Sequence, residues 1–371
     1  MAHNRIAFFF QYPWLETLPF VREPIVTLAR SGYHVDVYMP SGVDYPKPTF
    51  SNPGVRVIDF SFDFTAKTFA SKLLRLLRKS VANKYTLFFA VPDDSLVLAA
   101  ITASIMGKPL VAFCDEILGF KDDRRNWMLK WAYGKSRFVV ITDLTRITAF
   151  EKSIPHIKAL NYFELPNAPS SDTRILKAPA KPGCRVLNLG FFNEAFGGHI
   201  ILDALAYFRE GDVQFVVHER SFRQDLGKLG RAQLKLIEKA YPIRFMMDPL
   251  PYSRVGEVVN EGHIGLAMYT SEDKNISLCG KGSGKLARYL QHGKPVIVAG
   301  ENLRWLVETG AAEYAESGLD LFRAVQRIRR DYAKYSANAL ACYELHFKFE
   351  RFFAPILRRV QQLAGLGNGA K

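Results

Sequence analysis

Acidic side chains, paired cysteines and long apolar runs are all scarce in this sequence. Asp and Glu number 36 against 50 Lys and Arg, a formal charge of +14 over 371 residues. Such an excess predicts an anionic partner: nucleic acid, a membrane surface or a phosphorylated substrate. The four cysteines, Cys114, Cys184, Cys279 and Cys342, stand far apart with no C-x-x-C pair. That excludes a zinc pattern and a disulfide framework, and the expectation is no metal. The longest apolar stretch, Ser95 to Met106, is well short of the ~20 residues that span a bilayer. The run Ile6 to Phe10 stops at Gln11 and Pro13, too soon for the core of a leader peptide. These absences predict a cytoplasmic protein, either free or peripheral on the inner face of the plasma membrane. No helix-turn-helix, RNA-recognition or zinc-finger pattern is present, so nucleic acid drops out as the anionic partner.

What is there has the texture of two cores. Hydrophobic residues make up 48% and charged residues 23%, a balance suited to a globular chain of two domains. Ile6 to Phe10 reads as a buried parallel strand, Phe20 to Arg30 as a helix closed by Gly32, and Tyr33 to Tyr38 as the next strand. Strands at Tyr85 to Ala90, Leu110 to Phe113 and Phe138 to Ile141 alternate with helices at Ser95 to Met106 and Trp127 to Tyr133. Between Pro166 and Pro182 the periodicity gives way to Pro, Ala, Ser and Lys, a linker texture. A second series follows, with strands at Arg185 to Leu189, Val213 to Val217, Ile243 to Met247, Ile264 to Met268 and Pro295 to Ala299. Helices at Ile200 to Phe208, Leu226 to Ala240, Tyr252 to Asn260 and Gly284 to Gln291 separate them, and two or three helices fill Leu319 to Leu363. The fold class expected is α/β, two tandem Rossmann-like doubly wound domains facing a central crevice where ligands bind. The boundaries are 1–165, a linker over 166–182, 183–345, and a last helix over 346–371 that packs back on the N-terminal domain.

The segment NISLCGKGSGKLARYLQHGKPVIVA, Asn275 to Ala299, carries most chemistry. Its Gly-rich loop opens a helix, so glycines admit a ligand to the backbone and the helix N-terminus offers N–H donors and a positive dipole end. Lys281 and Lys285 add two cations at the same place. It is not a P-loop, because G-x-x-x-x-G-K-[ST] is absent. A solvated Gly-Lys turn is the plainer alternative, and the position at the start of a second-domain helix favours a diphosphate cradle.

Lys285-Leu286-x-x-Tyr289-Leu290-x-x-Gly293-Lys294-Pro295-Val296 resembles the K-L-x-E-Y-x-x-x-G-K-P-V signature of GT-B glycosyltransferases similar to glycosyltransferase family four. Glu16-Thr17, Phe20-Val21-x-Glu23 and Leu28-Ala29-x-x-Gly32-x-x-Val35 resemble the family's first loop and helix. Leu165-Pro166-Asn167-Ala168-Pro169 resembles its PN motif, and Arg185 to Gly190 with Val213 to Val217 its nucleotide domain. The order of these motifs spans nearly the whole chain. The resemblance implies a GT-B fold and a sugar moved from a nucleotide-diphosphate sugar to a glycan or lipid-linked acceptor, with retention, in bacterial cell-surface polysaccharide synthesis. A sugar-nucleotide-binding or scaffold protein of the same fold is the second reading, and an epimerase a third. No cofactor is implied, the sugar nucleotide being the donor substrate.

By position, the resemblance implies donor contacts at Gly190, Lys281, Gly282, Ser283, Gly284, Lys285, Arg288 and Tyr289, with the base near Met247 and Asp248. Two departures stand out. The family places a ribose-binding Glu where this chain has Arg288, a change of sign and geometry. It also often has an Arg and a Lys where Phe191 to Gly198 stand here. Asp115, with Glu116 beside it, follows a strand of the first domain and fits a general base, an acceptor-positioning carboxylate or the cap of a turn. Glu194, in the crevice loop of the second domain, is a further candidate catalytic carboxylate, and His218 ends one of that domain's strands. Finally, Phe60 to Ser80 carries Lys72, Arg75 and Arg78 beside Phe69, Leu73, Leu74 and Leu77. This is either a basic amphipathic helix for an anionic membrane surface or a packing helix with a solvated face. Tyr12 and Trp14 add apolar contact for the acceptor.

Overall fold

The computed structural model describes residues 4–42, 48–63, 65–92, 94–117, 123–153, 160–171, 183–209, 211–218, 231–246 and 250–365. The chain divides into two compact units, Met1–Leu165 with Phe349–Lys371, and Pro166–Lys348.

Among the described residues the first unit holds seven strands, β1 (Arg5–Phe9), β2 (His34–Met39), β3 (Val55–Asp59), β4 (Leu87–Ala90), β5 (Leu110–Cys114), β6 (Val139–Ile141) and β7 (Tyr162–Glu164). They pair in the order β3-β2-β1-β4-β5-β6-β7, each pair parallel. Because the sheet is covered on both faces, β1 is apolar on successive residues: Phe8 enters one core and Ala7 and Phe9 the other. Helix Pro19–Arg30 and the last helix, Phe349–Leu363, cover the first face through Phe20, Ile25, Phe353 and Ile356. Helices Ala66–Asn83, Asp94–Ile105 and Asp123–Lys135 cover the second. Asp94–Ile105 lies between its two neighbours, so Leu96 to Ala100 are buried all round and the helix shows no amphipathic stripe.

The second unit holds β8 (Cys184–Leu189), β9 (Val213–His218), β10 (Ile243–Met246), β11 (Ile264–Met268), β12 (Val296–Ala299) and β13 (Ala312–Tyr314). Their order is β10-β9-β8-β11-β12-β13, again all parallel. Helices Gly198–Leu205 and Gly318–Arg330 pack on one face, and Tyr252–Glu261, Gly284–Gln291 and Tyr332–His346 on the other.

Three strands escape the sequence reading: β3, β7 and β13. All three are edge strands, five residues or fewer, and only partly buried, so no apolar run marks them. The basic stretch also differs from expectation at its start. Phe60 and Phe62 are core residues ahead of the helix, which begins at Ala66 behind a Thr65–Thr68 capping box. The C-terminal region resolves into three helices, Gly318–Arg330, Tyr332–His346 and Phe349–Leu363.

Candidate functional site

In each sheet the chain reverses its direction of winding once. β8 is followed by a helix on one face and its neighbour β11 by a helix on the other, so the carboxyl ends of these two strands bound a natural ligand crevice within the second unit. Gly190 leaves β8 with φ +100, a conformation that a side chain resists. It lets the chain turn into Phe191–Gly198 beside the start of helix Gly284–Gln291.

That helix start is held from several directions. Ser283 caps it, its Oγ accepting from Leu286 N at 3.3 Å and bonding the buried Tyr269 hydroxyl. Burial raises the Tyr269 hydroxyl well above its ordinary range, so it stays a neutral partner. Asn167 clamps the loop before the cap: its backbone N–H donates to Lys281 O at 2.9 Å and its Nδ2 to Gly282 O at 3.0 Å. A Cβ on Gly284 would come within 3.1 Å of that same Nδ2. The glycine therefore allows the clamp as well as access to the helix end.

Lys285 reaches back across β8. Its Nζ donates to Asn188 Oδ1 at 3.2 Å and lies 5.4 Å from the Tyr269 ring centre and 5.7 Å from that of Phe196. Asn188 is 1% exposed, and its Nδ2 donates to Phe191 O at 3.3 Å. One buried amide thus ties the ammonium to the loop after β8. Thr270 fixes the other side of that loop through its N–H to Ala195 O at 3.0 Å. Phe191 stays 45% exposed beside Phe196, ring centres 5.2 Å apart. Glu194 is exposed on the same loop.

One residue assigned to the donor from the sequence is placed differently. Tyr289 is wholly buried, accepting from Leu189 N at 2.8 Å and donating to Leu187 O at 3.0 Å. Its ring fills the space over Gly265. It joins helix to sheet and has no surface for a ligand. Arg288, 6% exposed, lays its guanidinium 4.3 Å from the centre of the Tyr252 ring. Met247 and Asp248 lie outside the described residues. His218 lines a cleft of about 220 Å³ with Arg185, Arg244 and Arg254, and burial lowers its pKa, leaving the ring neutral.

The first unit has its own reversal, between β1 and β4. Gln11 follows β1 and its Oε1 accepts from Ser95 N, at the start of helix Asp94–Ile105, at 3.3 Å. Tyr12 and Trp14 stack at 4.3 Å with 16° between their planes. After β5, Asp115 is half-buried and Glu116 exposed. Buried Arg146 donates to Asp115 O and to Thr142 Oγ1, and Cys114 Sγ donates to Glu116 O. Burial pushes the Cys114 thiol up to about 12, so it is no nucleophile at neutral pH. Lys72, Arg75 and Arg78 sit on helix Ala66–Asn83. Lys72 donates to Asp63 O, Arg75 lies over the Phe60 ring and Arg78 is exposed. Among the described residues no group of His, Cys, Asp and Glu could hold a metal, and no helix is long and apolar enough to cross a membrane.

No family model and no curated protein matches the chain. Solved structures do. Sucrose-phosphate synthase from Thermosynechococcus elongatus matches over 98% of this chain and 100% of its own, at 14% identity and TM-score 0.73. HepE from Anabaena, in complex with UDP and glucose, matches over 97% and 100%, at 17% identity and TM-score 0.74. A glycosyltransferase from Rickettsia africae matches over 98% and 99%, at 10% identity and TM-score 0.74.

The chain has the GT-B fold. Identities this low establish the architecture, and the chemistry rests on the residues themselves. Sequence reasoning found the helix start because its glycines and lysines are contiguous. It missed Asn188, Tyr269 and Tyr252, which act through partners 97, 14 and 36 positions away. The only local signal was a lone amide inside the apolar run of β8.

Proposed function

We propose that this protein is a glycosyltransferase that binds a nucleotide-diphosphate sugar on its second unit, with the diphosphate at the start of helix Gly284–Gln291. The observation that carries the reading is the capped, glycine-lined helix start at the strand reversal, with Lys285 fixed beside it by Asn188. Oriented N–H groups and a held cation stabilise a diphosphate both as bound substrate and as departing group. The likeness of fold to a protein solved with UDP and with UDP-glucose supports the same assignment.

The first unit takes the acceptor in this reading. The Tyr12–Trp14 stack suits the apolar face of a sugar ring, and Asp115, or Glu116 beside it, positions or deprotonates the attacking hydroxyl. The acceptor class is a glycan or lipid-linked precursor of a bacterial cell-surface polysaccharide, and the transfer retains configuration. Helix Ala66–Asn83 supports a peripheral site on an anionic membrane face, with Leu74 48% and Val81 61% exposed among its basic residues. Flotation with anionic liposomes at low salt tests that part, and a protein that stays at the bottom of the gradient contradicts it.

Arg288 favours a second reading, a protein that binds sugar nucleotides without turning them over, because the resembling family has a carboxylate there. One experiment separates the two. A panel of nucleotide sugars is screened by thermal shift, and the best stabiliser is then incubated with candidate acceptors. Stabilisation with release of nucleoside diphosphate supports the transferase. Stabilisation without release supports the binding protein, and no stabilisation by any sugar nucleotide contradicts both.

A further inference from the structure

We propose that Arg288, braced on Tyr252, binds a second anionic group of the ligand whose first sits at the start of helix Gly284–Gln291. The donor site would then select diphosphates over monophosphates. This deepens the nucleotide reading above and rests on it.

The charge around Arg288 is out of balance. Arg288 is 6% exposed, yet among the described residues no hydrogen bond or ion pair reaches its guanidinium. Its one contact of note is the face of Tyr252. A guanidinium keeps its charge at every ordinary pH and carries five N–H donors. It is packed against a single ring with no anion beside it, and largely buried cations without an anionic partner are otherwise rare. A ligand that brings the missing anion resolves the imbalance.

Position and geometry specify that ligand. Helical side chains lean towards the N-terminus of their helix, so Arg288, one turn into the helix, extends towards its first turn. Lys285 leaves the same turn towards β8, where Asn188 and the Phe196 and Tyr269 rings hold it. Arg288 leaves towards Tyr252, the first residue of helix Tyr252–Glu261. Two cations with separate anchors therefore flank one helix end, an arrangement for two linked phosphates rather than one. The planar fork of Arg288 matches paired phosphate oxygens, and stacking on Tyr252 fixes its plane in advance.

The test is calorimetric titration of the full-length wild type, Arg288→Met, Arg288→Lys and Tyr252→Leu with UDP, UMP, inorganic pyrophosphate and inorganic phosphate. Arg288→Met should lower UDP and pyrophosphate affinity by about tenfold or more, and UMP and phosphate affinity by less than about threefold. Arg288→Lys should restore part of the loss, and Tyr252→Leu should cost about threefold for the diphosphates. With no ligand present, Arg288→Met should melt at or above the wild-type temperature, because the side chain has no internal partner to lose. A clear fall in that temperature, or equal losses for UDP and UMP, overturns the proposal. Pyrophosphate selectivity that depends on Arg288, with no nucleotide binding, upholds it and overturns the nucleotide reading. UDP binding whose preference over UMP ignores Arg288 does the reverse.

Discussion

The buried charges of the two units are treated in opposite ways. In the first unit Asp36 is 1% exposed and fully answered. Arg56 donates to its two oxygens at 2.9 and 2.8 Å, Tyr85 donates at 2.6 Å, and Arg5 stands 3.6 Å away. The cluster joins β1, β2, β3 and the approach to β4 at the amino ends of the strands, away from the end where ligands of such sheets bind. In the second unit the side-chain nitrogens of Arg288 and Lys294, residues 6% and 3% exposed, have no hydrogen-bond or ion-pair partner among the described residues. Only Arg288 belongs to the carboxyl-end crevice. A satisfied buried charge serves the fold, whereas an unsatisfied one at a ligand-binding edge points outward to a missing partner.

The largest effect is expected at Asp36. Asp36→Asn leaves Arg56 and Arg5 without their carboxylate and should cost about 3 kcal/mol of stability, while nucleoside diphosphate affinity stays within about twofold. Denaturant unfolding and calorimetry on one preparation measure both. A large loss of affinity in a folded variant would mean the first unit's charge cluster also serves the ligand.

Next in size is Lys285→Ala. Removing a held, charge-assisted donor should weaken diphosphate binding by about 2 kcal/mol, roughly thirtyfold, with a small change in melting temperature. Unchanged affinity would displace the phosphates from the helix start.

Lys294 is the buried cation that lies away from the crevice. It precedes β12, at the amino end of the sheet, and burial alone brings its pKa down to about 8 from 10.5. Between those values the unfolded chain holds a proton that the folded chain has released, so stability rises with pH across that window. Below about 8 the folded chain must carry the buried charge, and the gain is lost. Lys294→Met should flatten the rise and add about 1 kcal/mol at neutral pH, with ligand affinity unchanged. Unfolding at pH 7, 8.5 and 10 checks the slope, and a variant less stable than wild type at pH 7 contradicts the assignment.

These features also mark how far the sequence could be read. Buried parallel strands announce themselves by continuous apolar runs, so β1, β8 and β11 were visible, as was the helix start with its glycines and lysines. The edge strands β3, β7 and β13 were not, because their exposed and half-buried positions admit Arg56, Asp59, Glu164 and Glu313. The site showed the same division. Ser283, Gly284 and Lys285 form one local unit, whereas the Asn188 bridge, the Tyr252 brace and the Asp36 cluster join residues far apart in the chain. Tyr289 was misplaced for a related reason: a tyrosine at helical spacing beside a ligand loop reads the same whether it faces solvent or the sheet. Only Gly265, whose missing side chain makes room for its ring, distinguishes them.

The proposed chemistry of the second unit turns on a diphosphate bound at the start of helix Gly284–Gln291. Hydrogen exchange of the full-length protein, with and without saturating nucleoside diphosphate, tests it most directly. The account predicts slowed exchange in 190–197 and 280–288 of the second unit, centred on the amides of Gly284 and Lys285. Protection confined to the first unit, or saturation by ligand with no change at 280–288, would contradict it.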